Sequence, residues 1–585
     1  MTRARKLRIT LLIVLGLVLI AIALRATSSG PRIERDSTLV LQLAGSYVET
    51  QQPPLFSRLL GDSARPFVGL LSTLAFAERD DRLKTVVLRI RSLDIGWGKA
   101  QEIRNAIGRL RAAGRKVVAH LELAAFSANR EYYVASAADE IYMPPGANLP
   151  VLGLAGEYLY FGGLWAKLGI EIEVARVGKY KSAVETFVGE GMSPASREMA
   201  NSLLDSTYQQ FVDGIAEGRG MTPDQVRAAI DAGPVLGEDL RELDLIDGIE
   251  HVRSLLDRLG GAVVEHSVYA QLDPTSVGFD PVAQVALIYG TGTVAMGKGS
   301  LSPRGNPVLA SETVSKAFRE AAKDSEIDAI IFRIDSPGGS SLASEVVWEA
   351  LREARSSGKP IIASFSDVAA SGGYYVAAGA DEIVAPPGVL TGSIGVFALR
   401  PVLGGLLDKI GIQVEALTRG RHADFHLSAE PLSEGAGERL QSLVDDTYEL
   451  FVERVAEGRS MDPKAVDEIA QGRVWTGAQA FELGLLDELG GLHAAVERVK
   501  SRLELTPDDD VVLRPYPEPR SLVEQLAEML QGRVARFSRS RGELIDALAE
   551  AGIAEAGLLR RLEARLAELP LGSPLALAPL MVEIR

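Results

Sequence analysis

The sequence contains no cysteine. That excludes disulfides, thiol catalysis and cysteine-ligated zinc, although it leaves the compartment open. Histidine is nearly as scarce, with 6 residues in 585. None stands in a motif that marks it as a catalytic base. His422 and His426 have i,i+4 spacing, but no third ligand is evident, so neither a metal nor another cofactor is expected. An excess of basic residues is also missing. The formal net charge of -16 argues against a nucleic-acid partner and favours solubility. Long apolar runs are confined to one place, Ile9 to Leu24.

That run follows Arg3, Arg5, Lys6 and Arg8 and is closed by Arg25. It is short for a membrane span, but snorkelling arginines at both ends extend it. Residues 1–30 therefore read as an N-terminal anchor, with residues 9–24 in the bilayer. The basic start keeps the N-terminus in the cytoplasm and puts the body outside. A cleaved secretory signal is the competing reading, with Ala21-Ile-Ala23 as a small-x-small site. The anchor is preferred because that triplet lies inside the apolar run. Either way the body leaves the cytoplasm, which for a bacterial protein means the outer side of the inner membrane.

What the body does contain is the same unit twice. Thr85-Val-Val-Leu-Arg89-Ile matches Ala329-Ile-Ile-Phe-Arg333-Ile. Tyr132-Tyr-Val-Ala-Ser-Ala-Ala-Asp139-Glu-Ile matches Tyr374-Tyr-Val-Ala-Ala-Gly-Ala-Asp381-Glu-Ile. Thr207-Tyr208 matches Thr447-Tyr448. The offset drifts only from 244 (Arg89 to Arg333) through 242 (Asp139 to Asp381) to 240 (Thr207 to Thr447), which means duplication. Within each unit short apolar strands alternate with longer amphipathic helices, an α/β pattern with mainly parallel strands. In the second unit strands are expected at 282–289, 329–334 and 360–365, and helices at 311–323, 341–356, 438–457 and 463–471. The divisions are an anchor at 1–30, a first domain at 36–265, a second at 281–500 and a mainly helical extension at 501–585. In the extension, Arg514-Pro-Tyr-Pro-Glu-Pro519 reads as an extended connector, residues 521–531, 541–551 and 555–568 as helices, and 575–584 as a terminal strand. No chemistry is expected of it.

The copies differ where chemistry needs them to. Ser371-Gly372-Gly373 follows an apolar strand and opens a helix whose free N–H groups could face developing negative charge. Taken alone, Ser371 reads more simply as a helix N-cap. At the equivalent place the first copy has Asn129-Arg130-Glu131. Conversely Lys181, in Gly178-Lys-Tyr-Lys-Ser-Ala183, is matched in the second copy by Ala423. A serine is a weak nucleophile until a neighbour takes its proton. A lysine can do so if desolvation or nearby positive charge, such as Lys179, lowers a pKa of about 10.4. The plain alternative is a surface lysine. Ser336-Pro-Gly338-Gly339-Ser340 ends a strand and opens a helix. Its glycine N–H groups, with that of Gly372, could form an oxyanion hole. The first copy lacks the Pro-Gly-Gly. Gly290-Thr-Gly-Thr lacks the partners of a nucleotide loop and reads as a strand end.

Ser336-Pro-Gly-Gly-Ser340, Ala370-Ser-Gly-Gly-Tyr374, Thr391-Gly-Ser393-Ile-Gly395 and Tyr180-Lys-Ser-Ala-Val-Glu185 together resemble the long, two-domain bacterial signal peptide peptidase A family of Ser-Lys peptidases. The resemblance covers roughly residues 38–499. It implies tandem ClpP/crotonase-like domains, Ser371 as nucleophile, Lys181 as general base, and Ser393 orienting the lysine amine. It also implies a membrane-tethered homotetramer, with neighbouring protomers contributing to the sites, that cuts hydrophobic peptides such as remnant signal peptides. Thr186 departs from the pattern where a proline is expected, which touches only local loop shape. Two other readings stay open: an acyl-CoA-binding enzyme of the crotonase type, and an inactive membrane scaffold.

Overall fold

The computed structural model describes residues 33–50, 65–299, 307–517, 575–577 and 583–584. The anchor segment at 9–24 lies outside them, as do the helices expected at 521–531, 541–551 and 555–568. Among the described residues no helix is long and apolar enough to cross a membrane.

The two matching aliphatic runs become Leu83–Asp94 and Ala329–Ser336, each central in its own sheet. The second is buried along almost its whole length, as expected of a strand covered on both faces. The first sheet runs Arg65–Pro66, Ser37–Val48, Leu83–Asp94, Lys116–Leu121, Glu140–Met143, Gly248–Ile249. Val263–Glu265 also pairs along Ser37–Val48. The second runs Val474–Thr476, Leu390–Gly392, Ile361–Ala370, Ala329–Ser336, Pro281–Thr291, Asp510–Tyr516, with Glu382–Ala385 and Glu488–Leu489 branching from Ile361–Ala370. Pairing is parallel throughout except between Leu390–Gly392 and Val474–Thr476. The helices match the periodicity closely: Ser311–Lys323, Ser341–Arg355, Glu434–Arg459 and Pro463–Ile469. The duplicated α/β architecture is thus present.

The expected connector after Asp508 turns out to be a strand. Asp510–Tyr516 lies parallel along Pro281–Thr291, with Leu513 opposite Val285. It occupies the edge that Val263–Glu265 occupies in the first sheet. Pro515 within it, with Pro517 and Pro519 just after, hides it from a sequence reading, but an edge strand tolerates proline.

Two contacts lock the copies together. Glu171–Val177 from the first pairs antiparallel with Val396–Val402 from the second, Val177 opposite Val396. In addition, helix Trp97–Ala112 of the first copy lies across the strand ends of the second. Gly98 there is obligatory, since a Cβ would come within 2.1 Å of the Ser366 carbonyl oxygen. Behind it Arg333, fully buried, donates to Glu49 (2.8 Å), Glu102 (2.5 Å), Ser364 Oγ (3.0 Å) and the Phe365 carbonyl (2.9 Å).

Candidate active site

Ser371 sits between the end of strand Ile361–Ala370 and the start of helix Gly372–Ala377. Its backbone is held at φ 56°, ψ -119°, a region that costs a non-glycine residue on the order of 1–3 kcal/mol. The amide that anchors this turn is its own, donating to the Gly392 carbonyl at 2.7 Å. Although Ser371 stands at the N-cap position, its side chain makes no capping bond. Its hydroxyl instead accepts from Lys181 Nζ at 2.7 Å. The simpler N-cap reading is therefore displaced by a contact that links the two copies.

Lys181 is fully buried. Besides Ser371, its amine donates to the Ser393 carbonyl at 2.8 Å and Ser393 Oγ at 3.0 Å. Among the described residues no carboxylate pairs with it. Burial alone pushes its ammonium well below the usual lysine range. Lys179, which the sequence suggests as a source of depressing charge, adds nothing to this shift. Its amine lies over the Tyr180 ring, 4.7 Å from the centroid.

The lysine loop is held by backbone. Tyr180 N–H donates to the Gln471 carbonyl at 2.9 Å, Gly472 N–H to the Ile394 carbonyl at 2.7 Å, and Ser393 N–H to the Arg473 carbonyl at 2.6 Å. Gly472, at φ +75°, lies so close that a Cβ would meet Lys181 N, Cα and Cβ at 2.7 Å. A Cβ on Gly395 would meet the Gly472 Cα at 2.8 Å and Lys181 Cδ at 3.2 Å. Ser393 itself is buried at φ 52°.

Gly338, Gly339 and Ser340 form a short buried strand beside this turn. Gly338 N–H is already committed, donating to Ser336 Oγ at 3.2 Å. Ser336 Oγ in turn donates to the Gly292 carbonyl at 2.6 Å. Gly372 opens its helix, where a residue's N–H has no intrahelical acceptor. His422 and His426 fall on a short 3-10 turn. No group of three or more His, Asp or Glu suited to a metal occurs among the described residues.

A family model described as "Peptidase family S49" matches residues 109–263 and again 353–506. The chain is 34% identical over 530 residues to the chloroplastic serine protease SPPA of Arabidopsis thaliana, covering 88% of this chain and 76% of that one. It is 28% identical over 529 residues to Protease 4 of Haemophilus influenzae, 85% of each. Against Protease 4 of Salmonella typhi it is 33% identical over 394 residues, 64% of this chain and 62% of that one. The chain belongs to peptidase family S49. It is a serine endopeptidase, and the resemblance to the two-domain form of signal peptide peptidase A holds along most of its length. The first S49 region contains Lys181 and the second contains Ser371.

Two features of this S49 site escape the sequence reading. One is Gly472, a lone glycine with no motif. The other is Lys99, buried in the first copy. It donates to Asp335 at 2.6 Å and Asp367 at 2.7 Å. Asp335 is the next-to-last residue of the strand leading to Gly338, and Asp367 lies three residues before the end of the strand leading to Ser371. Asp367 further accepts from the Gly96 and Lys99 amides at 3.0 and 2.8 Å. The first-copy counterpart of the Pro-Gly-Gly loop thus became a clamp on the second copy's strand ends.

Replacing Gly472 by alanine forces the Lys181 backbone away by a distance comparable to the clash. A displacement of about 1 Å at a reacting group costs on the order of 10²-fold in rate. Gly472→Ala is expected to lower kcat on an apolar peptide by at least that factor while the far-ultraviolet circular dichroism stays unchanged.

Proposed function

We propose that this serine endopeptidase cleaves hydrophobic peptides, such as remnant signal peptides, by acylation of Ser371 with Lys181 as general base. The observation that carries the reading is the 2.7 Å contact from a buried, carboxylate-free amine to the Ser371 hydroxyl. A neutral Lys181 accepts the hydroxyl proton as Ser371 Oγ attacks the scissile carbonyl carbon. Ser393, within 3.0 Å of the amine, fixes the direction of its lone pair. The resulting ammonium then protonates the departing amine, and the C–N bond breaks. In the second half-reaction Lys181 takes a proton from water as it attacks the acyl carbon; the ester C–O bond breaks and the ammonium returns the proton to Ser371 Oγ. The amides of Gly339 and Gly372 are the donors proposed for the oxyanion, each of which contributes about 10²–10³ in rate in comparable sites. The units are proposed to be of ClpP/crotonase type. The acyl-CoA reading calls for no base at the serine, and Lys181 there speaks against it.

The body is proposed to stand outside the inner membrane, tethered through residues 9–24, and to assemble into a homotetramer. A repeat argument supports assembly. The second-copy counterpart of Glu171–Val177 is residues 413–419, which form no strand pairing among the described residues and expose Val414 and Leu417. The first-copy counterpart of Val396–Val402 is residues 154–160, also largely exposed; Gly156 and Glu157 within it pair with Ile584 and Glu583 along one edge, and among the described residues no strand pairs along the other. The pairing made inside one chain can therefore be repeated between chains, head to tail, a contact that yields a ring when the rotation per chain closes.

Ser371→Ala and Lys181→Ala are each expected to lower kcat/KM on an apolar peptide by about 10⁴-fold or more, the range seen when one member of a nucleophile–base unit is removed. Full activity in either variant would overturn the dyad. Since only the neutral amine is a base, activity is expected to fall as pH drops through the depressed Lys181 pKa and to rise above it. A pH profile of kcat/KM with its midpoint near the ordinary ~10.4 of lysine would contradict the burial argument. For the assembly, Val414→Pro is expected to reduce the mass measured by light scattering towards that of one chain. An unchanged mass would remove the head-to-tail pairing.

A further inference from the structure

Three non-glycine residues with positive φ lie at one place: Ser371 at 56°, Ser393 at 52° and Gln471 at 50°. The first two belong to the proposed chemistry. Gln471 stands outside it, yet the turn it opens touches both loops of the site. That turn is closed by the Arg473 N–H on the Ala470 carbonyl at 2.9 Å. The Gln471 carbonyl takes the Tyr180 N–H of the lysine loop. The Gly472 N–H holds the Ile394 carbonyl, and the Arg473 carbonyl takes the Ser393 N–H. A Cβ on Gly178 would meet the Gln471 carbonyl carbon at 2.5 Å. Backbone lies on backbone here, so no flexible side chain can absorb a shift of the turn.

Helices often end in this left-handed form, but usually with glycine or asparagine in place. Here it is a glutamine, one residue past the C-cap of Pro463–Ile469, and hydrogen bonds hold it. Gln471 Nε2 donates to Asp467 Oδ1 at 2.6 Å and to the Tyr448 hydroxyl at 3.3 Å. The Gln471 amide donates to the same hydroxyl at 3.4 Å. That hydroxyl in turn donates to Asp467 Oδ1 at 2.5 Å. The repeat supplies a control. At the offset of 240, Tyr208, Arg227 and Asp231 stand where Tyr448, Asp467 and Gln471 do. Arg227 turns to Asp224 at 2.9 Å and Gln209 at 2.8 Å, and Asp231 stays in its helix. Among the described residues the network is thus present in the copy whose turn meets Lys181 and missing from the other.

We infer that Tyr448, Asp467 and Gln471 are positioning residues for the proposed cleavage: together they hold the Gln471 turn in its left-handed form, and that turn seats Lys181 opposite Ser371. The inference rests on the Ser371–Lys181 reading for what is seated. With the network cut, Gln471 returns towards negative φ, its carbonyl leaves the Tyr180 N–H, and Gly472 leaves the Lys181 backbone. A turn that keeps the seating form one-tenth of the time lowers kcat by about tenfold. KM stays, because the base acts after substrate has bound. The loosened amine also meets water. Its neighbours are the Ser371 and Ser393 hydroxyls and the Ser393 carbonyl, and burial alone depresses its pKa. That pKa therefore rises towards the ordinary ~10.4 of lysine.

The test measures kcat, KM and the pH profile of kcat/KM on a fluorogenic apolar peptide. Tyr448→Phe and Asp467→Ala are each made in the full native chain and in a Gln471→Gly background, which serves as its own reference. Glycine adopts positive φ without strain, so there the network is not needed. In the native chain each substitution is expected to lower kcat by about tenfold at unchanged KM and to move the midpoint to higher pH. In the glycine background the same substitutions should change kcat by less than about twofold, a coupling that a double-mutant comparison reads directly. A merely structural role would lower Tm alike in both backgrounds and leave the midpoint in place. Unchanged kcat and midpoint in the folded variants, or equal losses in the two backgrounds, overturn the inference. Tyr448→Phe removes a single oxygen atom and carries the same readouts if Asp467→Ala does not fold. Labelling of Ser371 by a fluorophosphonate, run in parallel, separates the two readings. Labelling that is abolished by Lys181→Ala but runs at the native rate in Tyr448→Phe sinks the turn network alone. Labelling that ignores Lys181 sinks the dyad.

Discussion

The site depends on one antiparallel pairing, Glu171–Val177 against Val396–Val402. Lys181 lies four residues beyond one end of this ladder, and Ser393 three residues before the other. Register in such a ladder is fixed by which residues face the core, and a slip of one residue reverses every side chain. Ala175, Val396 and Ala398 belong to the large core of the second unit, while Phe397 and Leu399 pack with Ala183, Val184 and Phe187 just past the lysine loop. The pairing therefore has a buried surface on both faces, and that is what keeps the amine opposite the serine.

The molecule also shows how burial can send two lysines in opposite directions. Lys99 and Lys181 are both almost without solvent contact. Desolvation opposes the charge on each. Around Lys99 the carboxylates of Asp335, Asp367 and Glu49 outweigh it and hold the ammonium charged, its pKa raised. Among the described residues the Lys181 amine meets hydroxyls and a carbonyl but no carboxylate, and desolvation prevails. A charged Lys99 can brace the strand ends but cannot accept a proton. A neutral Lys181 can accept one, at the cost of stability at neutral pH. The distinction is made by neighbours from distant parts of the chain.

This sets the limit of what could be read from sequence. The duplication, the order of strands and helices, and the complementary loss of serine in one copy and lysine in the other were legible, because each is a local pattern compared with its own repeat. So was the Ser371 turn, where a strand runs into a Gly pair. Lys99 was not: nothing in Trp97-Gly-Lys-Ala-Gln-Glu102 distinguishes a buried clamp from a solvated helix start until Asp335 and Asp367 are brought against it. Gly472 was equally silent, since its role is to leave room for a backbone 291 positions earlier. The edge strand Asp510–Tyr516 was masked by Pro515 and the prolines that follow it, and the partners of Leu575–Leu577 are defined only by tertiary pairing.

The fate of one matched pair shows how the copies came to depend on each other. Arg89 and Arg333 hold equivalent places in equivalent strands. Arg89 stays within its own unit, pairing with a partly exposed Glu122 at 2.7 Å. Arg333 is sealed between the units, and its carboxylate partners, Glu49 and Glu102, both belong to the first copy. Removing one partner from such a buried group costs roughly 3–5 kcal/mol, which is a large share of a domain's stability. Separation of the units would leave Arg333, Glu49 and Glu102 without their mates at once. An isolated second unit would thus lack its base and carry an unpaired buried cation, and an isolated first unit would hold a buried lysine with no hydroxyl to face. The division of the chemistry between copies is held in place by the division of the charges.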